Sequence, residues 1–170
     1  QRCRIHCHRS DDVITAIRIG REFHLDFTLE HATEGYKVAD VLAKEGITCV
    51  IGPLLLAPHK MEVWELKQET PALLHKAGVK ICLTADGATE IEWLPMDVGI
   101  IMRKGLPEEA AFRAVTIHAA EVMQLQDRVG SIEAGKDADI AIFNGHPFSN
   151  MTECVLTMID GEIYKNHLSA

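Results

Sequence analysis

Four strand-like runs, each followed by a segment of helical spacing, set the first constraint on this chain. The runs are Arg4–His8, Phe27–Glu30, Ile47–Ile51 and Val79–Gly87, and each strand-plus-helix unit takes roughly 30 residues, the usual size of a βα repeat. Such alternation confines the fold to the α/β class, because a parallel neighbour is reached only through a crossover connection. Ile-Thr-Cys-Val-Ile at 47–51 is nearly all apolar, as expected of a strand buried on both faces. In folds of this kind the chemistry gathers at the C-terminal ends of the strands.

The segments between the runs carry helix punctuation. Ser10 with Asp11 and Asp12 offers an N-cap and an acidic first turn, and Val13, Ile17 and Phe23 follow at near-helical spacing. A second helix is expected from about Glu34, with Val38 and Leu42 on one face and Gly46 as its stop. A third lies around Pro71–Lys76 and closes at Gly78. Two more open on a proline at the first helical position. One starts near Pro95 and carries Val98, Ile101 and Met102. The other starts at Pro107 and carries Phe112, Val115, Ala119 and Val122. Four such units are half of an eight-stranded (β/α)8 TIM-type barrel in size and grammar.

The grammar changes at about Leu125. The stretch from Asp127 to Asp139 is rich in Gly, Asp and Lys, and Ile140–Phe143 and Val155–Ile159 read as strands. Asp160-Gly161 is a strong hairpin turn, with the return strand starting at Glu162–Tyr164. The expected division is therefore a half-barrel over 1–124 and a β-rich segment over 125–170.

At 170 residues with 47% hydrophobic content the chain has enough apolar material for a real core. A net charge of -8 argues against nucleic acid or an anionic membrane as a partner, and no run of about 18 apolar residues is present. The first residues have no apolar signal-peptide core, and the start in a strand without Met reads as a piece of a longer chain. Cys3, Cys7, Cys49, Cys82 and Cys154 are odd in number and form no Cys-x-x-Cys, which reads as reduced thiols of a cytoplasmic protein. A structural zinc site at Cys3 and Cys7 is disfavoured, since strand alternation turns them away from the nearby histidines.

That alternation groups Cys3, Ile5 and Cys7 on one face and Arg4, His6 and His8 on the other. An apolar face for helices and a polar face for a cavity is the pattern of a barrel strand near its catalytic end. His31 stands at the end of the second strand and Asp86 at the end of the fourth. A turn cap beside Gly87 is the plain structural alternative for Asp86, and a satisfied core role is the alternative for the histidines.

The tail, Asp127-Arg-Val-Gly-Ser-Ile-Glu-Ala-Gly-Lys-Asp-Ala-Asp139 followed by Val155–Gly161, resembles the closing segment of the amidohydrolase superfamily. Within it the chain is similar to the imidazolonepropionase-like amidohydrolases. Ile5-His6, Glu30-His31-Ala32-Thr33-Glu34, Gly52-Pro53, Thr84-Ala85-Asp86 and Thr116-Ile-His-Ala-Ala120 agree with that resemblance along the whole chain.

The resemblance implies that the four units are strands five to eight of the barrel, followed by part of the family's β-sandwich. It implies a divalent metal, zinc first with iron or manganese as alternatives, held by His6, His31 and Asp86. Asp86 would also move protons, and His8 and His31 would face the substrate. The implied reaction is hydrolysis of a cyclic amide or related C–N bond of a small molecule by metal-activated water. Four features depart from the pattern. The first-strand His-x-His is expected upstream of residue 1, and the strand-four residue, often a lysine or glutamate, is absent as well. His118 stands where asparagine is usual, and Gly87 follows Asp86 where relatives often have histidine. Two alternatives stay open: a catalytically silent half-barrel or interaction module, and a relative that cleaves peptides or phosphoesters. The two unpaired edges of a half-barrel also lead to the expectation of a homodimer.

Overall fold

A computed structural model describes residues 2–57, 59–87 and 91–168. Strands β1 (Cys3–Cys7), β2 (Phe27–His31), β3 (Cys49–Ile51) and β4 (Ile81–Leu83) form one sheet in sequence order. Every neighbouring pair is parallel. Helices α1 (Ser10–Glu22), α2 (Ala39–Glu45) and α3 (Thr70–Lys76) make the crossovers. These are four consecutive units of a TIM-type barrel.

One sheet face makes the core. Leu29, Ile51 and Ile81 are fully buried there against Val13 of α1, Leu42 of α2 and Leu74 of α3. The other face is partly polar: Arg4 donates two hydrogen bonds to the Glu30 carboxylate, at 3.0 and 2.6 Å, and Thr28 donates a third at 3.0 Å. Gly46 closes α2 in the left-handed conformation, with φ 65°, which a residue without Cβ adopts at little cost.

Several boundaries differ from the sequence expectation. Ser10 is the first residue of α1, not its cap. Its backbone N–H and its hydroxyl both donate to Glu34, at 3.0 and 3.1 Å. A carboxylate from the next unit therefore does the capping and also meets the positive end of the helix dipole. Phe23 lies at the C-cap of α1, largely exposed, and Ala16 and Gly20 fill the buried stripe instead. A Cβ on Gly20 would come within 2.2 Å of the Phe27 ring, so glycine there lets helix and strand touch. The fourth strand is only Ile81–Leu83, and Thr84 to Gly87 continue as a loop.

Helices α4 (Leu94–Arg103), α5 (Glu108–Val115) and α6 (Ile117–Val122) follow. The last two were expected as one. Thr116 breaks them, at φ −125° and ψ −97°, and its hydroxyl donates back to the Phe112 carbonyl at 2.7 Å, a bond that competes with helix continuation. Ala110, Ala111 and Ala114 are the buried face of α5. Phe112 turns instead to the tail, where it meets Phe148 with ring centroids 4.6 Å apart.

The tail forms an antiparallel sheet of β5 (Ile140–Phe143), β6 (Cys154–Ile159) and β7 (Glu162–Asn166). Asp160 and Gly161, at φ 51° and 81°, make its tight hairpin turn, the backbone pattern that a two-residue hairpin favours. No described helix is long and apolar enough to cross a membrane.

Candidate functional site

The site is built where the loops leave β1, β2, β3 and β4, at their C-terminal ends. Strand pairing places Cys7 opposite His31, and Cys7 belongs to the helix-facing core. By simple alternation His31 would therefore point towards the helices. It does not, because its backbone turns left-handed, φ 67°, and Ala32 follows at 39°. The His31 ring instead lies 4.4 Å from that of His6 and 4.9 Å from that of His8, centroid to centroid. Asp86 also has a positive φ, 55°. Left-handed non-glycine residues are uncommon and carry a cost, and such strain tends to collect at functional sites.

The three imidazoles form a tight group. Each offers one nitrogen, and these nitrogens all lie within 4.8 Å of one another. His6 Nε2 and His8 Nε2 stand 3.0 Å apart. Asp86 brings a carboxylate oxygen to 3.6 Å from His31 Nε2. All four line one cavity of about 250 Å³, whose walls include Leu56, Val63 and Leu66.

Hydrogen bonds settle which nitrogen each buried ring presents. His31 Nδ1 donates to the Gly52 carbonyl at 2.6 Å. A carbonyl only accepts, so Nδ1 carries a proton, and Nε2 is the nitrogen turned towards Asp86. The ring of His8 is bonded at both ends: Lys60 Nζ donates to Nε2 at 2.8 Å, and Nδ1 lies 2.8 Å from Thr33 Oγ1. An ammonium has only protons to give, which makes Nδ1 of His8 the N–H partner of Thr33. Burial first, then the Lys60 charge and the neighbouring rings, push His8 down to about 4. Burial also lowers His6, with His31 and Lys60 as further causes.

Gly52 is fitted to its place. It has φ 134°, and a Cβ there would stand 1.9 Å from the Thr84 carbonyl oxygen. Only glycine lets the loop after β3 pass so close to the loop after β4 while its own carbonyl reaches His31.

Thr33, Lys60 and the Gly52 carbonyl are site components that strand periodicity does not reveal. Thr33 lies inside the Glu30–Glu34 stretch that carries the resemblance, and that was its only signal. Lys60 lies in a loop without a pattern. The five cysteines are unpaired. Burial raises the Cys7 thiol to about 12 and Cys82 to about 11, so both stay protonated and outside the site.

Residues 3–164 match the Amidohydrolase family. This chain belongs to that family. Among curated amidohydrolase relatives, the imidazolonepropionase of Fusobacterium nucleatum subsp. nucleatum is 42% identical over 74 residues, which is 41% of this chain and 18% of that protein. That of Streptococcus pyogenes serotype M3 is 35% identical over 124 residues, 68% of this chain and 28% of that protein. Among solved structures, an amidohydrolase from Thermotoga maritima superposes with a TM-score of 0.92 at 41% identity. It covers 96% of this chain and 43% of its own. The chain thus spans less than half the length of these relatives. A Xaa-Pro dipeptidase structure, at 22% identity and a TM-score of 0.77, shares the fold.

Proposed function

We propose that this chain carries part of the metal and proton-transfer centre of a hydrolase that opens a cyclic amide or related C–N bond in a small molecule. The observation that carries this reading is the convergence of the His6, His8 and His31 rings beside Asp86 at the strand ends. The imidazolonepropionases among its relatives support the choice of substrate class.

The donor set fits a divalent ion. Neutral imidazoles and a carboxylate suit zinc, with iron and manganese as alternatives. The Gly52 carbonyl fixes His31 in the tautomer whose Nε2 lone pair faces the cavity, the outer bond that metal-binding histidines commonly have. His6, His31 and Asp86 would hold the ion. When bound, it supplies Lewis-acid polarisation of a carbonyl and lowers the pKa of a water towards ~7.

The chain's own residues do the remaining work. Asp86, with 59% of its side chain exposed, is reachable by a water, takes its proton and returns it to the leaving nitrogen. His31, buried and oriented, aligns the carbonyl. Leu56, Val63 and Leu66 shield the substrate's body from water. Five unpaired thiols support a reducing compartment, the cytoplasm, and the division at residue 125 belongs to the same reading.

A second reading, a catalytically silent half-barrel, is favoured by the exposure of His6 on the open face of the sheet. Zinc titration of the purified chain tests the first claim. About one ion per chain, with affinity lowered 10-fold or more in both His6→Ala and His31→Ala, is expected. No bound zinc, or affinity indifferent to both changes, sinks it. The same titration separates the two readings, because a silent half-barrel would take up no zinc at this cluster.

A further inference from the structure

The ammonium of Lys60 is a charged feature of the cavity that the proposed chemistry leaves unused. Among the described residues lining the cavity it is the only Lys or Arg, and no described carboxylate forms an ion pair with it. It comes from the loop between β3 and α3 and is only partly exposed. A chain of two bonds aims it: Thr33 Oγ1 fixes Nδ1 of His8, and Nε2 of His8 accepts from Lys60. His8 is itself 8% exposed, so the acceptor is a buried, rigid one. A lysine ammonium has three donors. One is used by His8, and among the described residues the others meet no acceptor and are left for a ligand.

We infer that Lys60 is the specificity-determining residue of this cavity, receiving a carboxylate on the substrate, with His8 and Thr33 as the positioning residues that aim it. The inference rests on the reading of this cavity as a substrate site. Charge favours it. An ammonium held beside a cluster proposed to take a divalent cation is repelled by that cation, and a carboxylate lying between the two relieves the repulsion. Leu56, Val63 and Leu66 add an apolar stretch to a wall that also carries the histidine cluster, His59 and Asp86. The occupant that fits is a small, largely apolar amide with one anionic end. His8 Nε2 has a single lone pair, so it serves the ammonium or a metal ion, not both. The inference commits it to the ammonium.

The test uses the 170-residue chain and two probes, pyroglutamate, a cyclic amide with a carboxylate, and its neutral alcohol analogue pyroglutaminol. Binding is followed by ligand-observed NMR, with and without zinc. The expected result is a preference of about tenfold or more for the carboxylate in the unmodified chain, abolished in Lys60→Met, reduced in Thr33→Val and largely restored in Lys60→Arg. Equal binding of the two probes, or no binding of pyroglutamate at millimolar concentration, overturns the inference, and neither result depends on a variant folding. Zinc affinity is read in the same samples. Lys60→Met should raise it by less than about tenfold, as the loss of one nearby positive charge would, whereas a gain of about a hundredfold or more would mean that Lys60 merely occupies a ligand position on His8, which also overturns the inference. A chain that binds no zinc yet keeps the carboxylate preference removes the hydrolase reading alone. Zinc binding without the preference removes only the role of Lys60.

Discussion

The proton on His31 Nδ1 is held by the carbonyl of Gly52, 2.6 Å away, across a loop junction where no side chain fits. Two elements of the barrel thus orient one ring. Gly52→Ala should damage both at once. The added methyl meets the Thr84 carbonyl, and the φ of 134° is one that alanine avoids. The expected loss of stability is about 3 kcal/mol, measured by urea unfolding, together with weaker zinc binding. A variant as stable as the parent would show that the loops separate freely.

Acid should destabilise the metal-free protein through His8. Folded His8 is held down at about 4, against an ordinary value of 6.5. Between those two pH values the unfolded chain binds a proton that the folded one refuses. Stability therefore falls as pH falls through this window. The contribution is intact above pH 6.5 and lost by about pH 4, on the order of 2–3 kcal/mol. His6 is lowered as well and adds in the same direction. Urea midpoints of the parent and His8→Gln at pH 7.5 and 4.5 check this. The gap between the two pH values should narrow in the variant.

Turnover by these 170 residues alone should be undetectable. A catalytic zinc site takes about three protein ligands and an open position, and His6, His31 and Asp86 nominally suffice. The cavity, however, is walled only by loops of four strands, so the substrate is poorly oriented, and orientation is worth up to ~7–11 kcal/mol of barrier. Zinc-supplemented assays on cyclic amides provide the check. Turnover that vanishes in Asp86→Asn would show that the four units form a complete site.

Much of this was legible in the residues because it is local. Gly46 as a helix stop, Pro71 and Pro95 as helix starts, and Asp160-Gly161 as a turn each follow from the dihedral angles those residues favour. Alternation along Arg4–His8 placed His6 on the polar face for the same reason. The position of His31 was not legible that way, since period two sends it towards the helices and a left-handed backbone brings it back. Lys60 and Thr33 meet on His8 from loops far apart in the sequence, and no periodicity encodes such a meeting. The split at Thr116 was hidden because the apolar spacing runs straight across it.

Assembly through the strand edges is the remaining expectation. At β4 a side chain already serves one edge group, because His118 Nδ1 donates to the Ile81 carbonyl at 2.8 Å. β1 is the other terminal strand of the same sheet, and exposed edges invite pairing. Sedimentation at micromolar concentration should show a homodimer. A single monomeric species there would refute it.

Thr33 and Glu34 have a mechanical consequence. Thr33 bonds the His8 ring, the backbone N–H of Glu34 donates to the His8 carbonyl at 2.8 Å, and the Glu34 side chain clasps Ser10. The turns after β1 and β2 are thereby riveted into one corner that moves as a unit with α1. The segment bearing Lys60 reaches that corner through His8 and through exposed contacts of Tyr36 and Lys37 with Glu65, which are weak fastenings. Of the cavity's described walls, the histidine corner is therefore the firmly tied one and the Lys60 segment the lightly tied one.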